Sequence, residues 1–385
     1  MINRTVWDIF CKVIDNFGDI GVSYRLTKEL ATNNQKIRLF VSDLKAFNRI
    51  EPKVNINLYH QSLDDNIEII LWNNQSESLN LIKQLTPSNI IIEMFACNLP
   101  EIYISKITNE NIWINLEYLS AEDWVEEYHK KLSYEGGHFK YFFFPGFTSK
   151  TGGVNFEGKY LNKLPKQCKN QILEKLNINR YVSNNTLLCS IFCYENNVIL
   201  KLLCNIKKDV LFIIPQSIFS DYLLDKVSSI GLTKIDETLL KNENNIFIKI
   251  IPMTNQENYD NLLLSCDLNI VRGEDSFVRA QILSKPFIWN IYQQKDNIHL
   301  VKLKSFLDKY IDKSIVSPKV TNSIYDFSNA INTPLYENND YLNDFYIIID
   351  HLQELKQNSI IWRKNLIKNN SLCLNLIKFA QLIEK

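Results

Sequence analysis

The chain has 385 residues, 45% of them hydrophobic, with 43 basic and 43 acidic side chains and a formal net charge of zero. That length suffices for two domains with large cores, and the charge balance excludes a general nucleic-acid binder, which would be basic. No apolar run approaches the roughly 20 residues of a membrane span, and no signal peptide is visible, so a cytoplasmic protein without a membrane partner is expected.

In chain order, WDIFCKVI reads as a first strand. It stops at DNFGDIG, after which Val22, Leu26 and Leu30 recur at helical spacing until Asn33-Asn34 ends the pattern. KIRLFVSD is a second strand. SNIIIEMFA is a near-continuous apolar run, as expected where helices cover both faces of a parallel sheet. NIWINLEYLS and KYFFFPGF read as further strands running into loops, and TSKTGGVNFEGKYLNKLPKQ fits a connection between domains. Strand and helix patterns then alternate from TLLCSIFCY through NVILKLLCNI, DVLFIIP, SIFSDYLLDKVSSI, IFIKIIP, QENYDNLLLSC, DLNIV and EDSFVRAQILS to PFIWNIY. This repetition predicts a second doubly wound α/β domain. The expected domains are 1–160 and 175–364, with the helical segment 365–385 packing back on the first. Two such domains in one chain are expected to face a cleft, with ligands beyond the carboxyl ends of the strands.

Eight cysteines stand at positions 11, 97, 168, 189, 193, 204, 266 and 373, with no C-x-x-C pair and several inside apolar runs. They read as buried free thiols of a reducing compartment. Cys189 and Cys193 have the spacing of a metal pair on a helix, but their segment reads as a strand, where four residues span roughly 13 Å. The histidines, His60, His129, His138, His299 and His351, have no metal-ligand spacing.

Two loops carry the unusual chemistry. The first offers Gly18 and Gly21 flanked by Asp15 and Asp19, and it does not match the glycine-rich dinucleotide turn. One reading is a helix cap with a turn residue. The other is a base facing a cationic or hydroxyl acceptor. The second loop, VRGEDSFVRAQ, packs Arg272, Gly273, Glu274, Asp275, Ser276 and Arg279 between a strand and a helix. Backbone N–H groups at that helix start suit a diphosphate, Arg272 suits its charge, and Glu274 suits sugar hydroxyls. A capping arrangement with a surface ion pair is the alternative. The segment LEYLSAEDWVEEYH is acidic and aromatic, and reads either as an acceptor-facing surface or as a solvated helix. Trp289 and Tyr292 end a strand near the expected cleft, where Tyr292 either touches phosphates or is packed.

DIFCKVIDNFGDIGVSYRL, WINLEYLSAEDWVEEYH, KYFFFPGFTSKTGG, IFCYE and LNIVRGEDSFVRAQ…KPFIWNIYQQ, in this order, resemble the EarP family of bacterial protein-arginine rhamnosyltransferases. The resemblance implies a GT-B glycosyltransferase. It would move rhamnose from dTDP-β-L-rhamnose to one arginine of translation elongation factor P, inverting the anomeric centre, with neither a cofactor nor a metal. Carried onto matching positions, it makes Asp19 the general base and Asp15 a second essential carboxylate. Asn16, Phe17, Gly18 and Gly21 become the loop beside donor or acceptor. Phe192, Tyr194, Gln256, Tyr259, Arg272, Glu274, Asp275 and Ser276 become donor contacts, and Met253 stands where the family often has Phe. The rival readings are a GT-B transferase with another nucleotide sugar or acceptor, a nucleotide-sensing binding protein without catalysis, and a dinucleotide oxidoreductase, which the missing glycine fingerprint opposes.

Overall fold

The computed structural model describes residues 5–15, 17–161, 169–183, 185–333 and 340–383. The chain divides into two compact units, 1–162 with 366–385, and 163–365. Each is a mixed sheet flanked by helices, so the expected α/β class is what is observed.

The first sheet contains β1 (Val6–Cys11), β2 (Lys36–Val41), β3 (His60–Asp64), β4 (Ile67–Leu71), β5 (Ile90–Met94), β6 (Ile112–Leu116), β7 (Leu132–Glu135) and β8 (His138–Phe143). Their order is β3-β4-β2-β1-β5-β6-β8-β7. β4, β2, β1, β5, β6 and β8 run parallel, while β3 and β7 are antiparallel edges. All five residues of β5 are buried, as its unbroken apolar run requires. From β1 the chain goes to β2 on one side and later to β5 on the other. β1 and β5 therefore bracket the point where strand order reverses, and the loops that follow them flank one crevice.

The second sheet contains β9 (Leu187–Ile191), β10 (Val210–Pro215), β11 (Leu232–Lys234), β12 (Leu239–Asn242), β13 (Phe247–Ile251), β14 (Leu268–Arg272) and β15 (Phe287–Asn290). The order is β11-β12-β13-β10-β9-β14-β15, with β12 antiparallel to both its neighbours. Here the reversal lies between β9 and β14, and the loops after these two strands carry the IFCYE and VRGED residues.

The segment read as a connection departs from that expectation. Residues 151–157 are buried in the first unit, whereas 162–167 lie outside the described residues. Glu157 makes an ion pair with Arg25 at 2.9 Å, and Asn155 donates to the Val22 carbonyl at 2.9 Å. Gly153, at φ 77°, leaves no room for a side chain, since a Cβ would stand 2.7 Å from the Asn370 carbonyl oxygen. Its glycines serve close packing, not looseness. The helix Leu372–Ile383 completes this unit: Phe379 packs on Tyr141 and Phe143, and the Leu372 N–H donates to the Val154 carbonyl at 2.9 Å. Among the described residues no helix is long and apolar enough to cross a membrane.

Candidate active site

The helix Gly18–Thr32 follows β1 and has no side-chain cap at Phe17. Asp19, in its first turn, points back over the loop. Its Oδ2 accepts the backbone N–H of Ile14 and of Asp15, each at 2.8 Å, and its Oδ1 accepts the Tyr118 hydroxyl at 3.2 Å. These bonds fix both carboxylate oxygens. Asp19 is only 2% exposed. Burial holds its proton affinity above the ordinary carboxylate range, and the negative Asp15 adds to that. The two backbone N–H donors and Tyr118 oppose it.

Asp15 is half-buried, and its carboxylate lies over Gly18. A Cβ at position 18 would stand 2.5 Å from Asp15 Oδ2 and 3.1 Å from its Cγ. The Gly18 N–H donates to the Asp15 carbonyl at 2.5 Å, and the Gly21 N–H to the Phe17 carbonyl at 3.0 Å. Gly18 therefore makes room for an acid and does not cradle an anion. Phe17 is half-buried with the Arg49 guanidinium 6.0 Å from its ring centre, and Asn16 lies outside the described residues.

The turn after β5 completes this end of the sheet. Phe95, Ala96 and Asn98 have φ of 58°, 50° and 59°. Asparagine tolerates left-handed backbone, whereas for Phe and Ala it costs roughly 1–2 kcal/mol each. Hydrogen bonds hold the shape: Phe95 N–H to the Leu116 carbonyl at 2.7 Å, Ala96 N–H to Asn115 Oδ1 at 3.0 Å, and Asn98 N–H to Glu93 Oε1 at 2.9 Å. Glu93 is itself fixed by buried Lys140 at 3.3 Å and by the Trp113 indole N–H at 3.2 Å. The turn lays the Phe95 ring against Tyr118, with centroids 4.1 Å apart and planes 7° from parallel. An aromatic pair returns about 0.5–1.5 kcal/mol, less than the two left-handed residues cost, so packing alone does not account for the turn. Neither Phe95 nor Tyr118 stood out in the sequence. Tyr118 falls in the acidic-aromatic segment, of which only Trp124–Tyr128 is helical.

In the second unit the sequence-derived residues gather in two knots. Arg272, 4% exposed, ends β14 with its guanidinium 4.3 Å from the Phe192 ring centre and 4.9 Å from that of Tyr194. Its Nη1 reaches the Cys193 carbonyl at 3.5 Å. A guanidinium fixed on two rings keeps its charge in place while losing little further freedom when an anion binds. Ser276 Oγ bridges the Arg272 backbone, accepting its N–H at 3.0 Å and donating to its carbonyl at 2.5 Å. This seals the turn that starts the helix Asp275–Ile282. Gly273 has φ 57°, and its carbonyl accepts the Trp289 indole N–H at 2.8 Å. Trp289 thus braces the turn, stacked on Phe277 at 3.8 Å. Glu274 and Asp275 are half-buried at the helix start. Gln256 Nε2 donates to Asp275 Oδ2 at 3.4 Å.

Tyr259 packs on Phe192 at 5.5 Å, and burial pushes its hydroxyl well above the usual tyrosine range. Met253 is half-buried in the loop after β13. Tyr292 is 47% exposed and meets Tyr194 edge-on at 5.7 Å. Sequence reasoning missed Asn290, Asn332 and the bracing part of His299. Asn290 Oδ1 accepts the Tyr194 N–H at 2.9 Å, while its Nδ2 donates to the Ile331 carbonyl at 3.0 Å and to Asn332 Oδ1 at 3.2 Å. His299 Nδ1 accepts the Gln294 N–H at 3.2 Å, so Nε2 carries the proton and donates to the Asn332 carbonyl at 2.9 Å. Among the described residues no group of three or more His, Cys, Asp or Glu side chains is placed to hold a metal ion.

Comparison with known proteins gives the family of the chain. A sequence model of the family described as elongation-factor P (EF-P) rhamnosyltransferase EarP matches residues 7–381. The protein-arginine rhamnosyltransferase of Pseudomonas aeruginosa is 36% identical over 321 residues, covering 79% of this chain and 81% of its own. That of Shewanella oneidensis is 38% identical over 341 residues, covering 80% and 82%. A solved structure of EarP, described for arginine glycosylation of EF-P, superposes with a TM-score of 0.64 at 24% identity over 98% of this chain and 99% of that one. An α-glucosyltransferase with UDP and a 13-mer DNA superposes at 0.52 with 11% identity, over 100% of both chains. The fold these neighbours share with the chain is GT-B.

Proposed function

The chain belongs to the EarP family and is a protein-arginine rhamnosyltransferase, and on that premise we propose that it moves L-rhamnose from dTDP-β-L-rhamnose to an arginine of translation elongation factor P in the cytoplasm. The residues divide the work. Arg272, with the backbone N–H groups at the start of the helix Asp275–Ile282, takes the diphosphate, and Glu274 takes sugar hydroxyls. Phe192, Tyr194, Met253, Gln256, Tyr259, Asp275, Ser276 and Tyr292 shape the rest of the donor pocket. Asp19 and Asp15 take the acceptor guanidinium.

One observation carries the acceptor side: Asp19 is buried, its Oδ2 is held by two backbone N–H groups, and a second carboxylate stands beside it. A pair of acids suits a cationic acceptor, whereas a neutral hydroxyl acceptor would need only one base. A guanidinium has a pKa above about 12 and an ordinary aspartate about 4, so complete proton transfer before attack would cost on the order of 11 kcal/mol. Burial narrows that gap by raising the proton affinity of Asp19. The guanidinium nitrogen attacks the anomeric carbon from the face opposite dTDP. Its proton passes to Asp19 Oδ1 as the bond forms, and the bond to the diphosphate oxygen breaks with its electron pair. Inversion follows from the single displacement.

The test is incubation of the protein with dTDP-rhamnose and unmodified elongation factor P, followed by intact mass spectrometry. A gain of one rhamnose, lost when the acceptor arginine is replaced by lysine, is expected. No gain, from protein that still binds dTDP, would replace this reading with that of a nucleotide-sensing binding protein.

A further inference from the structure

The Asp19 carboxylate is linked to an aromatic stack built by strained backbone. Tyr118 donates its hydroxyl to Asp19 Oδ1 at 3.2 Å, and one face of its ring is covered by Phe95 at 4.1 Å. Even so, 41% of Tyr118 remains exposed. Phe95 reaches it only because Phe95 and Ala96 adopt left-handed backbone, anchored through Asn115 and Glu93. Both the acidic loop and this turn leave the sheet where strand order reverses, the place where an open α/β sheet receives ligand.

A flat ring fixed beside an acid suits one class of cation. Guanidinium is planar and weakly hydrated, and it stacks on aromatic faces. An ammonium is compact, strongly hydrated and gains less from a ring. We propose that Tyr118, carried on Phe95, is the platform on which the acceptor guanidinium lies while Asp19 Oδ1 takes its proton. The proposal rests on the reading that the acceptor is an arginine side chain. The ring holds the guanidinium plane, and the hydroxyl keeps the carboxylate in line with it. Backing by Phe95 prevents the ring from turning away, which spares the complex part of the ordering cost.

The experiment uses the full chain with elongation factor P as acceptor. Transfer rates are measured against acceptor and donor concentration for wild type, Tyr118→Phe, Tyr118→Leu and Phe95→Leu, and dTDP affinity serves as the control for folding. Tyr118→Leu is expected to raise the acceptor KM roughly 10-fold or more while donor KM and dTDP affinity stay within about twofold. Tyr118→Phe, which keeps the ring, should restore most of the acceptor KM and show its loss in kcat. Phe95→Leu should fall between them. If wild type transfers rhamnose and Tyr118→Leu keeps the acceptor KM, the platform is wrong and the transferase reading stands. If wild type transfers no rhamnose to arginine, that reading fails and takes the platform with it.

Discussion

The carboxylate of Asp15 lies so close over Gly18 that a methyl group there would stand 2.5 Å from its Oδ2. Gly18→Ala must therefore displace the Asp15 side chain, whereas Asp19 keeps its two backbone donors. Shifts of about 1 Å at reacting groups can cost on the order of 100-fold. A fall of roughly 10- to 100-fold in kcat is expected, with dTDP affinity unchanged by isothermal titration. Wild-type turnover in Gly18→Ala would show that Asp15 has no part in transfer.

Asp19→Asn tests the base. The amide keeps the shape: its oxygen takes the two N–H bonds of Ile14 and Asp15, and its NH2 donates to Tyr118. Loss of a general base costs about 10²–10⁴-fold, and donor affinity should survive. Stability should move the other way. The folded state binds the Asp19 proton more tightly than the unfolded chain does, so the contribution of Asp19 to stability is lost as pH rises through its folded pKa. At neutral pH the charged, buried side chain is thus a burden, and Asp19→Asn should melt higher than wild type by scanning calorimetry.

The same shift fixes the pH dependence of transfer. Asp19 acts unprotonated, and burial with the neighbouring Asp15 keeps it protonated to higher pH than the ordinary value of about 4. The acid limb of kcat/KM should lie above that value. The Tyr118 hydroxyl and the N–H groups of Ile14 and Asp15 pull the other way, so Tyr118→Phe should move the limb further up. A limb that moves down in Tyr118→Phe would contradict the hydrogen bond as described.

On the donor side, Arg272→Lys keeps the charge but loses the plane that rests on Phe192 and Tyr194. Donor affinity should weaken roughly 10-fold or more, because an ammonium neither stacks nor offers a fork to a diphosphate. Equal dTDP affinity in wild type and Arg272→Lys would remove Arg272 from the diphosphate.

Much of this was readable from residue patterns. The fully buried β5 showed in its run of isoleucines, and the helix Gly18–Thr32 in Val22, Leu26 and Leu30. The edge strands β3, β7 and β11 were not readable, since they are short, largely exposed and lack a long apolar run, and β12 beside β11 is only four residues long. Phe95 escaped because its position depends on left-handed backbone at a Phe and an Ala, which no local preference announces. Asn290 and Asn332 hid among many surface asparagines. Their burial, 2% and 0% exposed, appears only once β15 and the helix Pro318–Asn332 are brought together. The segment 151–157 misled because glycines that permit close packing look like glycines that loosen a chain.

The return of the helix Leu372–Ile383 to the first unit has a consequence for synthesis on the ribosome. Cys373 and Leu376 are both 0% exposed there, so that core stays open until the helix Leu372–Ile383 has been translated. Residues 163–365 are continuous and need nothing downstream to fill their own core. The later-made unit can thus finish folding before the earlier-made one, reversing the usual amino-to-carboxyl order. Until then the acidic loop has no completed scaffold, and a chain stopped before residue 372 should transfer nothing to arginine.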